Sequence, residues 1–140
     1  MKRNIAILTL LSPLLFICAC TKKKQPDTPF TRVMGAWQKV QYATDDNENG
    51  NIDKQELRNQ PLDFIDVLVF KSDTTGYEAT SINGSKDTSS FVWFVGGDSL
   101  YVSYNAHFSI AYYIRHVSSG SLTLLTGTST GLAWYNYNKD

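Results

Sequence analysis

The stretch Phe108-Ser109-Ile110-Ala111-Tyr112-Tyr113-Ile114-Arg115 decides the fold. Large apolar residues occupy every second position, at Phe108, Ile110, Tyr112 and Ile114. A period of two is that of a β-strand with one buried face, because successive side chains point to opposite sides. The alternation recurs on both sides of this stretch, at Leu100, Val102 and Tyr104 and at Leu132, Trp134 and Asn136.

Outward from this strand, the chain divides into short apolar segments separated by turn-forming residues such as Asn83-Gly84-Ser85 and Gly96-Gly97-Asp98. We predict strands over residues 35–43, 64–71, 76–80, 89–95, 99–104, 108–117, 121–126 and 131–137. Tight turns between successive strands favour an all-β fold, an antiparallel eight-stranded up-and-down barrel, because closure removes exposed edges. A two-sheet sandwich is the alternative that the pattern leaves open.

The twelve residues from Asp45 to Glu56 match the calcium-loop pattern D-x-[DN]-x-[DN]-G-x5-E at every position. Calcium takes about six to eight oxygen ligands, which such a loop supplies from alternate residues. Gly50 stands where the loop must turn sharply. The predicted ligands are the side chains of Asp45, Asn47, Asn49, Asp53 (directly or through water) and Glu56, and the backbone carbonyl of Asn51.

The acidic surplus of residues 30–140 lies in this EF-hand-like loop. Residues 30–140 contain 12 Asp and Glu against 8 Lys and Arg, and residues 45–56 hold five of those acids and one base. A bound Ca²⁺ would relieve the repulsion, with an expected dissociation constant on the order of 10⁻⁴ to 10⁻³ M. The alternative is an Asn-rich surface turn without metal. After the loop, residues 53–60 are predicted to form a short helix that ends at Pro61.

The first 19 residues have the pattern of a signal peptide, with Lys2 and Arg3 before an apolar run. The run ends in Ile17-Cys18-Ala19-Cys20, which resembles the lipobox of bacterial lipoproteins and implies lipidation of Cys20 after cleavage. An ordinary secretory signal peptide or an uncleaved anchor is the alternative. Residues 20–29 form a tether whose lysines would lie near anionic headgroups, and residues 30–140 form the folded domain. The resemblance implies an outer-membrane lipoprotein, and the basic tether favours a periplasm-facing address.

The folded part resembles the lipocalin-like small lipoproteins of Bacteroidetes. Gly35-Ala36-Trp37 matches the G-x-W motif of the first lipocalin strand, and the resemblance extends over residues 33–137. Similar segments are DFIDVLVFKSDTTG (63–76), FVWFVGGDSLYV (91–102) and YYIRHVSSGSLTLL (112–125). The resemblance implies a small barrel with the acidic loop inserted after the first strand.

No catalytic grouping emerges from the sequence. His107 and His116 are the two histidines, too few ligands for zinc, and His116 is in phase with Ile114. Asp63 and Asp66 begin a strand, where we expect both to face solvent. The tryptophans Trp37, Trp93 and Trp134 are interpreted as core residues rather than a stacking wall for a ligand.

Together these features predict a non-enzymatic, lipid-anchored binding module of the cell envelope with a weak calcium loop. The expected partners are the membrane, through the lipid anchor, and a small apolar ligand or an envelope protein. The domain has no excess of basic residues, so nucleic acid is not an expected partner. The alternative function is that of a structural or interaction subunit of an envelope complex, with a filled barrel and no ligand cavity.

Overall fold

Nine antiparallel strands form one continuous sheet in the part of the chain that this computed structural model describes, residues 27–105, 107–129 and 131–140. The elements, in chain order, are α1 (Pro29–Val33), β1 (Gly35–Thr44), a 3-10 turn (Lys54–Glu56), β2 (Arg58–Asn59), β3 (Phe64–Phe70), β4 (Thr75–Ile82), β5 (Ser85–Gly96), β6 (Ser99–Asn105), β7 (Phe108–Val117), β8 (Ser121–Thr128) and β9 (Gly131–Lys139).

The sheet closes into a barrel through its first strand. From β3 to β9 each strand pairs with the next, and β1 pairs with β3 on one side and β9 on the other. β2 is a short addition that pairs with β1 beyond the end of β3. The predicted eight-stranded antiparallel barrel is therefore confirmed over the sandwich, with one extra strand.

One end of the barrel is filled by a hydrophobic core and covered by α1. Thr28 caps this short helix, accepting a hydrogen bond from the Thr31 amide at 3.2 Å. Phe30 stacks on Trp93 with ring centroids 4.7 Å apart, and the Trp37 indole nitrogen donates to the Val33 carbonyl at 2.6 Å. The buried core comprises Val33, Trp37, Leu68, Phe70, Phe91, Trp93, Leu100, Val102, Tyr112, Leu122, Leu124 and Tyr137.

Trp37 and Trp93 confirm the core interpretation, whereas Trp134 is half-buried and lines a hollow with Ile52 and Arg115. Its neighbour Tyr135 lines the barrel cavity instead, so Trp134 faces outward. Among the described residues, no helix has the length and hydropathy needed to cross a bilayer.

Three sequence-based expectations are corrected by the structure. The helix expected over residues 53–60 is reduced to the 3-10 turn Lys54–Glu56, because β2 follows at once and pairs with β1. His116 does not share the face of Ile114, since a bulge between the two shifts the register and leaves the histidine exposed. β4 and β5 also run further than predicted, to a tight turn at Asn83 and Gly84, both with positive φ.

Gly76 provides a test of the barrel packing. A Cβ at this position would lie 2.2 Å from the Phe91 ring and 2.4 Å from the Val69 carbonyl oxygen. We expect Gly76→Ala to destabilise the protein by about 1–3 kcal/mol through overpacking, measured by urea unfolding. Gly127→Ala is the matched control, because that strand glycine has no atom within 4 Å of the added Cβ. Equal unfolding midpoints for the two variants would contradict the packing described here.

Candidate functional site

The end of the barrel opposite α1 contains a cavity of about 460 Å³. Its wall combines aromatic and apolar residues with one basic and one acidic side chain, Lys39 and Glu78. A volume of this size is within the range of small-molecule sites. The remaining lining residues are Leu68, Ser89, Tyr104, Phe108, Ile110, Tyr112, Tyr135 and Tyr137.

Strand register explains why charged groups face inward here. Trp37 of β1 pairs with Leu68 of β3, so Lys39 and Asp66, each two residues further into the barrel, come to the same face. Lys39 forms an ion pair with Asp66. Asp66 is 2% exposed, and the expectation that it faces solvent is therefore wrong, whereas Asp63 is exposed as predicted.

The Lys39 ammonium group also lies against aromatic rings. Its nitrogen is 5.0 Å from the ring centroid of Tyr135 and 5.8 Å from that of Tyr137. Ring faces carry partial negative charge and attract cations at such distances. The ammonium is thus held by a carboxylate and two ring faces.

Glu78 is the second carboxyl group of the cavity. It pairs across β3 and β4 with Leu68, and its Oε2 accepts a hydrogen bond from the Tyr104 hydroxyl at 2.7 Å. Burial raises the pKa of Glu78, and the nearby Asp66 raises it further, while the Tyr104 hydrogen bond and Lys39 oppose the shift. Glu78 therefore retains a proton to a higher pH than an exposed glutamate.

One oxygen of Asp66 has no hydrogen-bond partner although it is buried. A buried carboxylate oxygen normally has a donor. Glu78, whose pKa is raised further by the nearby Asp66, can supply such a donor when it is protonated.

The pKa values of the phenol groups around the cavity depend on their burial and on the neighbouring charges. Burial raises the pKa values of Tyr104, Tyr112 and Tyr137, and the charges of Glu78 and Asp66 raise all three further. Both effects oppose a negative charge on the phenols. The Asp66 and Glu78 carboxylates therefore disfavour a further negative charge on these phenols.

A larger hollow, of about 640 Å³, lies beside this cavity and shares Tyr104 with it. It lies where the pairing of β5 with β6 ends, at Val92 and Ser103, both of which line it. The ionisable residues in its lining are Lys71, Tyr77 and the shared Tyr104. Because the larger hollow has no acidic side chain in its lining, the smaller cavity is the better candidate site.

The acidic loop leaves β1 at the same end of the barrel as the cavity. Its first and last predicted ligands, Asp45 and Glu56, are 4% and 6% exposed, unlike the residues between them. The Asp45 carboxylate accepts hydrogen bonds from the amides of Asn49 and Gly50 at 2.9 and 2.8 Å. Glu56 accepts from the amides of Asp46 and Asp53 at 2.9 and 2.7 Å. The loop thus wraps around two buried carboxylates.

The asparagines bring the third carboxylate into the same network. The side-chain amides of Asn47 and Asn49 both donate to Oδ2 of Asp53, each at 3.0 Å. Asn51 joins through its backbone amide, which donates to Oδ1 of Asn49 at 2.8 Å. Gly50, with φ of 78°, supports the sharp turn. Hydrogen bonds therefore link all six predicted ligand residues into one network.

The predicted ligands are of the chemical type that calcium prefers, but they are not arranged around a common centre in this structure. Within the described residues, no group of three or more His, Cys, Asp and Glu side chains is placed to hold a metal ion. The predicted set contains three carboxylates, with asparagine and carbonyl oxygens as the rest. For a cation to bind, Asp53 must exchange its two amide donors for the ion. The loop therefore matches a calcium site in the types of its ligands and in the course of its backbone, and not in the placement of its ligands.

The loop is anchored to the start of β9. The Asp45 amide donates to the Leu132 carbonyl at 2.9 Å, and a Cβ on Gly131 would lie 3.2 Å from that of Asp45. Ile52 lines a hollow on the outer face with Leu132. These contacts hold the loop against the barrel rim.

The comparisons with known proteins bear on the fold. No protein-family model and no curated protein matches the chain. A lipocalin-like protein from Bacteroides uniformis ATCC 8492 superimposes with a TM-score of 0.55 and 14% identity, over 78% of this chain and 99% of the other. The fold is lipocalin-like. The cockroach allergen Per a 4 matches with a TM-score of 0.51 and 9% identity, over 81% of this chain and 70% of the other.

Sequence reasoning missed the polar residues of the cavity, Lys39, Asp66, Glu78 and Tyr104. A usable signal exists for three of them, since each stands two positions from a residue buried in the core: Lys39 from Trp37, Asp66 from Leu68 and Tyr104 from Val102. Within each strand, the phase of the buried residues predicts an inward side chain. Cys20, the predicted lipidation site, lies outside the described residues.

Proposed function

We propose that this protein is a non-enzymatic binding module of the cell envelope that holds a small ligand in its barrel. The observation that supports this most directly is the cavity of about 460 Å³ opposite α1. The core fills only the α1 end, and half-buried polar groups remain in the wall of the other. A barrel built solely as a scaffold would be expected to fill this space with side chains.

A binding role is favoured over catalysis by how the reactive groups are arranged. Glu78 is hydrogen-bonded to a tyrosine, and Asp66 is neutralised by Lys39. His107 and His116 are both exposed and do not line the cavity. Nucleophilic catalysis requires a general base beside a nucleophile, whereas each of these carboxyl groups is engaged by a partner of its own.

The cavity can be tested with N-phenyl-1-naphthylamine, a neutral fluorescent probe. We expect saturable binding, with a blue-shifted emission, because the probe would leave water for an aromatic cavity. Ser89→Trp should reduce the affinity at least roughly tenfold by filling the cavity. Ser119→Trp adds the same ring in the exposed turn between β7 and β8 and should leave binding unchanged. Absence of saturable binding to the unsubstituted protein would refute the ligand-binding function.

The second candidate is a subunit of an envelope complex, and one surface favours it. Val92, Phe94, Tyr101 and Tyr113 of β5, β6 and β7 are each more than a third exposed, and Phe94 stacks on Tyr101 at 4.5 Å. Adjacent apolar side chains on an outer face are typical of protein contacts. Co-purification with envelope proteins, together with no probe binding, would support this role over the first.

We further propose that the loop from Asp45 to Glu56 binds Ca²⁺ weakly. The complete sequence match and the hydrogen-bond network that links the three carboxylates support this. Bound ion would replace the asparagine amides at Asp53 and rigidify the barrel rim. The ion would then stabilise the open end without taking part in any reaction.

Calcium binding predicts a concentration-dependent rise in melting temperature. With a dissociation constant near 1 mM, about 10 mM Ca²⁺ adds about 1.4 kcal/mol, a shift of roughly 5 °C or more. Glu56→Gln should abolish this shift, because it removes the bidentate ligand. Glu48→Gln, which removes the same charge from a non-ligand loop position, should retain most of it. A calcium-linked shift that persists in Glu56→Gln would contradict the ligand assignment.

The anchor is proposed from the sequence alone: lipidation of Cys20, attachment to the outer membrane and a periplasm-facing domain. Metabolic labelling with a palmitate analogue tests it, since a diacylated cysteine would carry the label. Cys20→Ala should lose the label, while Cys18→Ala, the matched control two residues earlier, should keep it. Equal labelling of both variants would overturn the assignment.

A further inference from the structure

We infer that the barrel cavity selects a small aromatic ammonium ion over neutral and anionic molecules of the same shape, with the Glu78 carboxylate as counter-ion. The inference rests on the proposed ligand-binding function, because it names the ligand class of that same cavity. It goes beyond that function because it assigns a positive charge to the ligand and names the residue that binds this charge.

The protein already places one ammonium group in this environment. The Lys39 nitrogen is paired with Asp66 and faces the rings of Tyr135 and Tyr137 at 5.0 and 5.8 Å. A carboxylate together with aromatic faces is how proteins recognise ammonium ligands. The wall thus already accommodates one ammonium group beside a carboxylate and two aromatic rings.

The charge count leaves a place for a second cation. Asp66 and Glu78 provide two carboxyl groups, and Lys39 neutralises one of them. Glu78 keeps a neutral donor, the Tyr104 hydroxyl, and no ammonium partner among the described residues. An ionised Glu78 therefore leaves one uncompensated negative charge in a partly dry cavity, where it attracts a cation more strongly than in water.

Glu78 is accessible from the cavity, unlike Asp66. It is half-buried and lines the cavity, beside the aromatic rings of Tyr104, Phe108 and Tyr112. An aromatic ammonium ion can place its charge on Glu78 and its ring among these side chains. An anionic analogue would meet the same carboxylates that raise the pKa values of the surrounding phenols.

The raised pKa of Glu78 gives ammonium binding a pH dependence. The groups that face Glu78 are Tyr104 on β6, Tyr112 on β7, Tyr137 on β9, Asp66 on β3 and Lys39 on β1. As pH falls through the raised pKa, Glu78 takes up a proton and loses its attraction for a cation. Ammonium affinity should then fall by up to tenfold per pH unit, while the affinity of a neutral ligand stays constant.

The test uses three probes of similar shape in calorimetric titrations of the purified protein: phenethylamine, 2-phenylethanol and 3-phenylpropanoate. At neutral pH we expect phenethylamine to bind at least roughly tenfold more tightly than 2-phenylethanol, and 3-phenylpropanoate to bind least. Glu78→Gln should abolish the preference for phenethylamine and its pH dependence, yet leave the affinity for 2-phenylethanol unchanged. Unchanged binding of the neutral probe shows that the variant remains folded with its cavity intact.

Asp98→Asn is the matched control, since it removes one negative charge at the exposed turn between β5 and β6, at the α1 end. It should retain the preference for phenethylamine. Equal binding of phenethylamine and 2-phenylethanol, or a preference that survives Glu78→Gln, overturns the ammonium inference and leaves the ligand-binding function standing. If N-phenyl-1-naphthylamine does not bind, the ligand-binding function falls, and the inference that rests on it falls with it.

Discussion

The pairing of β1 with β9 closes the sheet into a barrel with an enclosed interior. Without it the strands would form an open sheet with two unpaired edges, and neither the core nor the cavity would be enclosed. β1 bonds to β9 along most of its length, from Trp37 to Thr44, and to β3 through its first four residues. The same strand supplies Trp37 to the core and Lys39 to the cavity, and it ends where the acidic loop begins. The closure of the barrel and part of the cavity wall therefore depend on one strand.

The buried ion pair between Lys39 and Asp66 is costly in isolation, because both groups lose water. The surroundings reduce that cost, since two tyrosine rings face the ammonium and Glu78 lies next to the free oxygen of Asp66. A well-packed apolar pair at these positions would be expected to stabilise the barrel at least as well. Retention of ionisable groups in the wall is more easily understood if they meet a ligand than if they serve the fold.

The acidic loop and the cavity share one rim of the barrel. Asp45 is bonded to Leu132 at the start of β9, a strand that also contributes Tyr135 and Tyr137 to the cavity wall. Ordering of the loop by a cation would therefore act on β1 and β9 near the opening. Because the loop lies outside the barrel and the ion pair inside, the two sites have separate chemistry and are joined by shared strands.

The sequence by itself determined the strand content, the antiparallel order and the loop pattern, because a period of two, turn residues and ligand spacing are local properties. It also placed Trp37 and Trp93 in the core. Only the tertiary structure decided that Asp66 is buried, that His116 turns outward at a bulge, and that residues 53–60 yield a 3-10 turn and a strand. It also assembled Lys39, Asp66, Glu78 and Tyr104, which come from four strands, into one wall. Their proximity depends on the register and closure of the barrel, and long-range pairing of that kind leaves no trace in any short segment of the chain.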